Sequence, residues 1–453
     1  MTHFESLEAK INSSGGNPAL MLRQEPAGPY VFPMPAEYSN WRDEQEAWTK
    51  TAILFDQSFH MFDIYFKGPD VKRLFSDFGV NNFSKFGRNK AKQFVAVNHE
   101  GMFIGDAILF GIEEDEYSLV GTPIAGNYMQ YRAETGDYHV TVVRDNATPF
   151  NPNPRLLFRY QIQGPNALKV VEKAAGGPID RIKFFNIGEI VIAGTKVRAL
   201  NHTMSGVPGR EMTGLEMTGP ADEGPKVLAA LQAAGEDFGL RMGGRLSYPT
   251  TAVESGWLAL PIPAIYTGEE LKNYREWLPA AGLEAHYSLG GSLHSNNIED
   301  YYVTPYDIGY GRLIDFNHDF HGKDALLRIA DGKHKKKVWL VWNEDDLVNI
   351  VRSSLWGGAD RAKFVDMPSA IYSVSTYDRI LKNNRTVGFS AWNAYTVGHG
   401  AWASIGVIDD DDAIDGDEVT IIWGDQESIG HKLLVEAHKE TSIRATIKVN
   451  PLV

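Results

Sequence analysis

Apolar and polar residues alternate along the first part of the chain with two different periods. Runs such as His60–Phe66 and Phe158–Gln163 alternate with a period of two, which is typical of strands with one buried face. Longer runs such as Ala125–Thr135 and Asn166–Ala175 have the 3.6-residue spacing of helices. Because strands alternate with helices and are interleaved with hairpins, the pattern favours an α+β fold over one long parallel sheet.

Helical spacing also covers Ser39–Leu54, near the amino terminus. Its apolar set is Trp41, Ala47, Trp48 and Ile53. We therefore expect one helix across this segment.

The pattern changes after Lys337, where short apolar runs are separated by turns rich in Gly and Asp. This change predicts a small antiparallel barrel. The strands that we predict in it are Val338–Trp342, Ala370–Val374, Arg385–Ser390, Ala403–Ile408 and Glu418–Trp423. We divide the chain into a body, residues 1–335, formed by two interleaved α+β subdomains, and a barrel domain, residues 336–453. The basic run Lys333–Lys337 at the junction is interpreted as a solvated linker.

Composition restricts the classes of function. The chain of 453 residues has a formal net charge of −14 and no cysteine. The acidic balance argues against a nucleic-acid partner, and the absence of cysteine excludes disulfides, thiol nucleophiles and thiolate metal ligands. With no apolar leader and no run of about 18 apolar residues, we expect a cytoplasmic protein with no membrane partner. The oligomeric state stays open.

Common catalytic signatures are missing. Neither a G-x-S-x-G elbow nor a G-x-G-x-x-G loop after a strand is present. His318 and His321 could face one metal ion, but they lie in a charged loop, and we expect no metal site. A chemistry carried by an organic cofactor is favoured instead.

The most informative run is Tyr301–Leu326, YYVTPYDIGYGRLIDFNHDFHGKDAL. It predicts a turn, a short apolar strand, an acidic-aromatic loop and a helix beginning near Asp324. In this order the run resembles a segment of the folate-dependent aminomethyltransferases, the T-protein family of the glycine cleavage system. Further matching segments are Trp41–Asp56, Gln57–Met61, Asn98–Leu109 and Gln161–Ala167. Within that family the runs GPYVFP, PAEYSNWRDEQ and VESGW are most similar to the aryl-ether O-demethylases of the vanillate and syringate type.

The resemblance implies a three-lobed, T-protein-like folate-binding fold with a C-terminal antiparallel β-barrel. It implies a methyltransferase that uses tetrahydrofolate to demethylate a lignin-derived aromatic methyl ether, giving a phenol and 5-methyltetrahydrofolate. Its partners would be these two small molecules. Two alternatives stay open: a folate-dependent demethylase of an S- or N-methyl donor, and a non-catalytic folate-binding protein.

The resemblance also implies a set of folate-binding residues. Glu216 would accept N–H groups of the pterin as a carboxylate, and the other reading is a strand glutamate at the surface. Asp106 and Gln163 would be further contacts, or strand-end residues with structural roles. Trp257 would form a flat wall for a ring, or would pack in the core. Val120 ends a strand that carries part of the family pattern.

Three residues are implied at the methyl donor. Tyr248 would donate a hydrogen bond to the departing oxygen, because a phenol near pKa 10 matches a phenolate product. His60 would bind the donor or protonate the oxygen, and Tyr30 would contact the donor. The other readings are a core or rim tyrosine and a structural histidine.

Two departures from the family pattern concern contacts with the methyl donor and with the pterin. Thr122 stands where the vanillate-type enzymes carry an arginine that could bind a carboxylate. The donor would then lack a carboxylate, unless another arginine such as Arg144 supplies the charge. Val207 replaces a tyrosine expected near the pterin.

Overall fold

The computed structural model describes residues 4–204, 214–425 and 432–452. The α-helices are α1 (Leu7–Ser13), α2 (Pro18–Gln24), α3 (Trp41–Lys50), α4 (Val71–Phe78), α5 (Pro123–Thr135), α6 (Ala167–Ala175), α7 (Gly224–Gly235), α8 (Thr251–Ser255), α9 (Lys272–Trp277), α10 (Lys323–Ala330) and α11 (Glu344–Trp356). The strands of the body are β1 (Ala52–Asp56), β2 (Phe62–Lys67), β3 (Ala91–Val97), β4 (Phe103–Glu113), β5 (Glu116–Gly121), β6 (Thr141–Asp145), β7 (Leu157–Gln163), β8 (Ile187–Ile192), β9 (Thr195–Asn201), β10 (Gly214–Pro220), β11 (Leu240–Met242) and β12 (Leu289–Gly290). The later strands are β13 (Lys335–Trp342), β14 (Ser375–Thr376), β15 (Asp378–Lys382), β16 (Arg385–Thr396), β17 (Ala401–Asp409), β18 (Glu418–Trp423) and β19 (Thr441–Lys448).

The body contains two sheets. Sheet A has six strands in the order β11-β1-β7-β10-β9-β8, and sheet B has five in the order β3-β4-β5-β2-β6. The β1–β11 pair is parallel, whereas the other pairs in these two sheets are antiparallel. This mixed architecture is the predicted α+β class.

The two sheets face each other. Leu54, Ile162 and Leu215 share one face of sheet A and pack against α6 and α7. The opposite face of sheet A meets sheet B through an apolar cluster that includes Leu200 and Val120. Because side chains alternate along a strand, every second residue of these strands points into the space between the sheets.

Six later strands close into an antiparallel barrel in the order β13-β17-β16-β15-β18-β19. The predicted barrel is therefore confirmed, but not all of its strands are. No strand forms at Ala370–Val374, and β14, which follows it, pairs with β12 outside the barrel. The sequence pattern also missed β15, β19 and α11. The division at residues 335 and 336 stays a prediction.

Two other local predictions are wrong. The helix expected across Ser39–Leu54 ends at Lys50, and Ile53 belongs to the buried strand β1. The short strand expected after Gly309 is instead a 3-10 turn over Gly311–Leu313. A short apolar run cannot distinguish these cases by its period alone.

The basic run at the junction is not a solvated linker. Lys335 begins β13, and the Nζ of Lys337 donates a hydrogen bond to the carbonyl oxygen of Gly256 at 2.5 Å. Burial and the nearby Arg312 lower the pKa of Lys337 to about 8. A cation on a barrel strand is thus packed against the body.

Within the described ranges, no helix has both the length and the apolar composition that are needed to cross a membrane.

Candidate active site

A network of buried ion pairs joins the facing sides of the two sheets. Arg159 of β7 donates to Glu216 of β10 and, at 2.5 Å, to Asp63 of β2. Arg155 lies 2.8 Å from the second oxygen of Asp63 and 3.0 Å from Asp145. Buried charges are retained when partners of opposite sign hold them. Arg159 therefore fixes Glu216 on the face of sheet A that looks toward sheet B.

The residues predicted to contact the methyl donor lie together beside this network. The hydroxyl oxygen of Tyr248 lies 3.0 Å from the Nε2 of His60, and the Nε2 of Gln57 donates to the same oxygen at 3.0 Å. Tyr30 donates from its hydroxyl to the backbone oxygen of His60 at 3.4 Å. Phe32 packs edge-on against the rings of Tyr30, His60 and Tyr248, with ring centroids 4.8 to 5.3 Å apart. An aromatic compartment with a phenol and an imidazole at its centre results.

Burial sets the protonation of this pair. It lowers the pKa of His60 to about 3, and the charges of Arg159 and Arg155 act in the same direction. Burial also raises the pKa of Tyr248 above its ordinary value. Near pH 7 the imidazole is therefore neutral and the phenol keeps its proton, as a hydrogen-bond donor requires.

Glu44 holds the turn that carries Tyr248. It is buried, and its Oε2 accepts from the hydroxyl of Ser247 at 2.6 Å and from the backbone N–H of Gly244 at 2.9 Å. The burial of Glu44 could have been inferred from the sequence, because Trp41, Glu44 and Trp48 share one helical face. A carboxylate on an apolar face is buried only when donors satisfy it.

A second group forms around Asp106, which lies on the face of sheet B that looks toward sheet A. Its Oδ2 accepts from Gln93 Nε2 at 2.7 Å, from the indole N–H of Trp257 at 3.0 Å and from the hydroxyl of Tyr310 at 2.5 Å. Burial raises the pKa of this carboxyl group. Asp106 thus fixes the edge of an indole that is 39% exposed. Sequence reasoning missed Tyr310, although it lies within the run that carries the family pattern.

We expect Tyr310→Phe to lower the free energy of unfolding by about 1.5–3 kcal/mol, the typical contribution of a hydrogen bond to a charged group. Urea denaturation measures this change. Tyr306→Phe is the matched control, because the hydroxyl of Tyr306 donates to a neutral backbone oxygen of Leu326 at 3.3 Å. Equal losses in the two variants would mean that the contact with Asp106 adds nothing specific.

The remaining predicted residues have different surroundings. The Oε1 of Gln163 accepts from Gln161 and from the backbone N–H of Met204, both at 3.1 Å, on the same face as Glu216. Val120 lies in the apolar cluster between the sheets. Thr122 precedes α5 as its N-cap residue, without a capping hydrogen bond from its side chain. Roles in binding stay predictions for all three. Val207 lies outside the described residues.

Arg144, the arginine considered in place of the one missing at Thr122, faces away from the space between the sheets. It pairs with Ile64 in the sheet and therefore points to the opposite face from Asp63. There its Nη1 donates to Asn127 and Gln130 of α5 at 2.9 and 2.6 Å. Arg144 therefore lies outside the space between the sheets, and a role in binding a donor carboxylate stays a prediction.

The two histidines considered for a metal contact other groups. His318 Nε2 lies 3.2 Å from the backbone oxygen of Gly79, and His321 Nε2 lies 3.3 Å from Glu270. In the described part of the chain, no three His, Asp or Glu side chains assemble as a metal-ligand set.

Comparisons with known proteins identify the family of the chain. Residues 27–261 match the GCVT N-terminal domain family. The chain is 40% identical over 443 residues to a syringate O-demethylase of Sphingobium sp. strain SYK-6, covering 97% of this chain and 95% of that protein. It is 29% identical to a sesamin methylene transferase of Sinomonas sp., with 86% of each chain covered.

Similarity of fold extends to a solved structure. The glycine cleavage system aminomethyltransferase T of Bartonella henselae superposes on this chain with a TM-score of 0.62 at 16% identity. The superposition covers 96% of each chain. The three-lobed arrangement predicted from the sequence motifs is thereby confirmed. The match to the domain family and the 40% identity over nearly the whole chain lead to one conclusion. The chain belongs to the GCVT, or aminomethyltransferase, family and is a transferase.

Proposed function

We propose that this transferase removes a methyl group from an aromatic methyl ether and passes it to N5 of tetrahydrofolate. The observation that carries the proposal is the buried phenol of Tyr248, held by Gln57 and His60 beside Arg159 and Glu216. Cleavage of an aryl ether requires a hydrogen-bond donor at the departing oxygen, and an un-ionised phenol is suited to this role. The relative named as a syringate O-demethylase supports the same substrate class.

The space between the sheets offers polar groups that suit a pterin. Arg159 fixes Glu216, a carboxylate that can accept paired N–H groups. The Oε1 of Gln161 is buried and has no hydrogen-bond partner among the described residues, so it is a further acceptor for a ligand. Trp257 would offer its exposed indole face for stacking while Asp106 holds its edge. When bound, tetrahydrofolate would supply a nucleophilic nitrogen, N5. In the balanced reaction the methyl group moves from the aryl oxygen to N5, the N5 proton is released to solvent, and the departing phenolate is protonated from solvent to give the phenol.

The residues of the chain act on the departing oxygen. As the bond between methyl carbon and aryl oxygen breaks, Tyr248 donates its hydrogen bond to the oxygen that becomes a phenolate. His60 is neutral, and its Nε2 accepts the hydrogen bond of the Tyr248 hydroxyl when no methyl donor is bound. Phe32 packs edge-on against both rings and holds them in place. Stabilisation of charge that develops only in the transition state raises the rate of the chemical step.

The charge of the network favours a donor without a carboxylate. Its three carboxylates hold both guanidinium groups, so the five buried groups sum to one negative charge. A further carboxylate beside them would lose its hydration without gaining an unpaired cation from this network. Thr122 likewise offers a neutral hydroxyl in place of a charge.

We therefore expect a neutral guaiacol-type ether to be demethylated at least as efficiently as vanillate. The measurement is kcat/KM for both donors in the wild type and in Thr122→Arg, where vanillate should gain relative to guaiacol. Thr141→Arg, at an exposed position of β6, is the control for added charge. A strong preference of the wild type for vanillate would contradict the argument from the network.

The proposal is tested by incubating the purified protein with tetrahydrofolate and a panel of methyl donors. Mass spectrometry should detect 5-methyltetrahydrofolate and the matching phenol with methoxyarenes. Turnover of S-methyl or N-methyl donors alone would favour the first alternative function. Binding of folate without turnover of any donor would favour a non-catalytic folate-binding protein.

A further inference from the structure

Gln57 lies beside the hydrogen bond that joins Tyr248 and His60. It is buried, and its Nε2 lies 3.0 Å from the hydroxyl oxygen of Tyr248 and 2.9 Å from the sulfur of Met204. A thioether sulfur carries lone pairs and no proton, so the group that faces it must be the amide NH2. The Oε1 of Gln57 is buried without a partner in the described ranges, and rotation of the amide would place this oxygen against the sulfur, which has no proton to donate.

This orientation fixes the proton of Tyr248. Because Gln57 can only donate through its NH2 group, the hydroxyl oxygen of Tyr248 accepts that bond. The hydroxyl proton is then directed to the Nε2 of His60, 3.0 Å away. A neutral imidazole that accepts at Nε2 carries its own proton on Nδ1.

We infer that Gln57 is a positioning residue that keeps His60 in its Nδ1–H tautomer and leaves the Tyr248 proton free for donation to the departing oxygen. An acceptor in place of the Gln57 amide would take that proton and direct it away from the donor compartment. The effect on turnover rests on the proposed function. The tautomer of His60 does not, since it is a property of the protein alone.

The first experiment is 15N NMR of the protein labelled at its histidines, with the His60 signals assigned by their loss in His60→Asn. We expect the Nδ1–H tautomer in the wild type. In Gln57→Glu, at a pH where the introduced carboxyl group is ionised, that carboxylate should accept from Tyr248, so that His60 changes to the Nε2–H tautomer. A wild type in the Nε2–H tautomer, or an unchanged tautomer in the ionised variant, would overturn the inference even if no donor were turned over.

The second experiment separates positioning from packing. Gln57→Met keeps most of the volume without an amide, and we expect kcat to fall roughly tenfold with little change in either KM. The same substitution in a Tyr248→Phe background should have no further effect on kcat. Gln57→Glu should regain activity as the pH is lowered, because a protonated carboxyl group can again donate to Tyr248.

Two outcomes of the kinetic experiment contradict the inference. One is an equal loss of kcat from Gln57→Met in the two backgrounds, because the effect would then not pass through Tyr248. The other is a normal kcat in a folded Gln57→Met variant. Gln232→Glu, an exposed amide on α7, controls for the change of charge. Thermal melts show whether the variants fold, and the tautomer of the wild type tests the inference if they do not.

Discussion

Tyr248→Phe is expected to lower kcat by about 10²–10³ while both KM values change little. The hydroxyl of Tyr248 meets negative charge that develops only as the aryl oxygen departs, so its loss raises the barrier without weakening the ground-state complex. Phenylalanine keeps the ring, and the edge-on contacts with Phe32 and Phe55 at 4.8 and 5.1 Å are retained. Steady-state kinetics with a methoxyarene and tetrahydrofolate measure the effect.

The matched control for this prediction is Tyr117→Phe. Tyr117 is also buried, but it packs with Phe75 and Phe86 in the core outside the candidate site, and its hydroxyl has no partner among the described residues. That variant should turn over normally. If Tyr248→Phe retained near-normal turnover, Tyr248 would be only a wall of the compartment. His60 would then become the leading candidate for the group that protonates the departing oxygen.

Glu216→Gln is expected to weaken the binding of tetrahydrofolate by about 1.5–3 kcal/mol, because a charge-assisted hydrogen bond contributes that much. The dissociation constant should rise roughly 10- to 150-fold. Glutamine keeps the shape of the side chain, whereas alanine would leave one arm of the buried Arg159 without its partner and would destabilise the fold as well. Calorimetry of folate binding gives the dissociation constant, and the affinity for the methoxyarene should change less.

Glu189→Gln tests whether loss of any carboxylate has this effect. Glu189 lies on β8 of the same sheet, but it is exposed and pairs with Arg88 at 3.2 Å on the surface. Its substitution should leave folate affinity unchanged. An unchanged affinity in Glu216→Gln would remove Glu216 from the folate site.

Local patterns in the sequence predicted much of the fold. The strands β2 and β7 and the helices α5 and α6 all lie within a few residues of the predicted runs. The helix expected near Asp324 begins at Lys323. The period of apolar residues and the capping residues depend on the local backbone conformation, so these elements could be predicted from the sequence. The same signals failed for short apolar segments, where a strand, a turn and a helix end share one pattern.

The sequence by itself determined the α+β class, the barrel and, through its motifs, the family and the residues expected at the site. Only the tertiary structure decided which of these residues meet. Arg159 contacts partners that are 57 and 96 residues away, Glu216 and Asp63. Which charges pair depends on strand register and on the way that two sheets face each other, and no local period contains this information. The same geometry turned Arg144 away from the space between the sheets and gave Gln57 its place beside Tyr248.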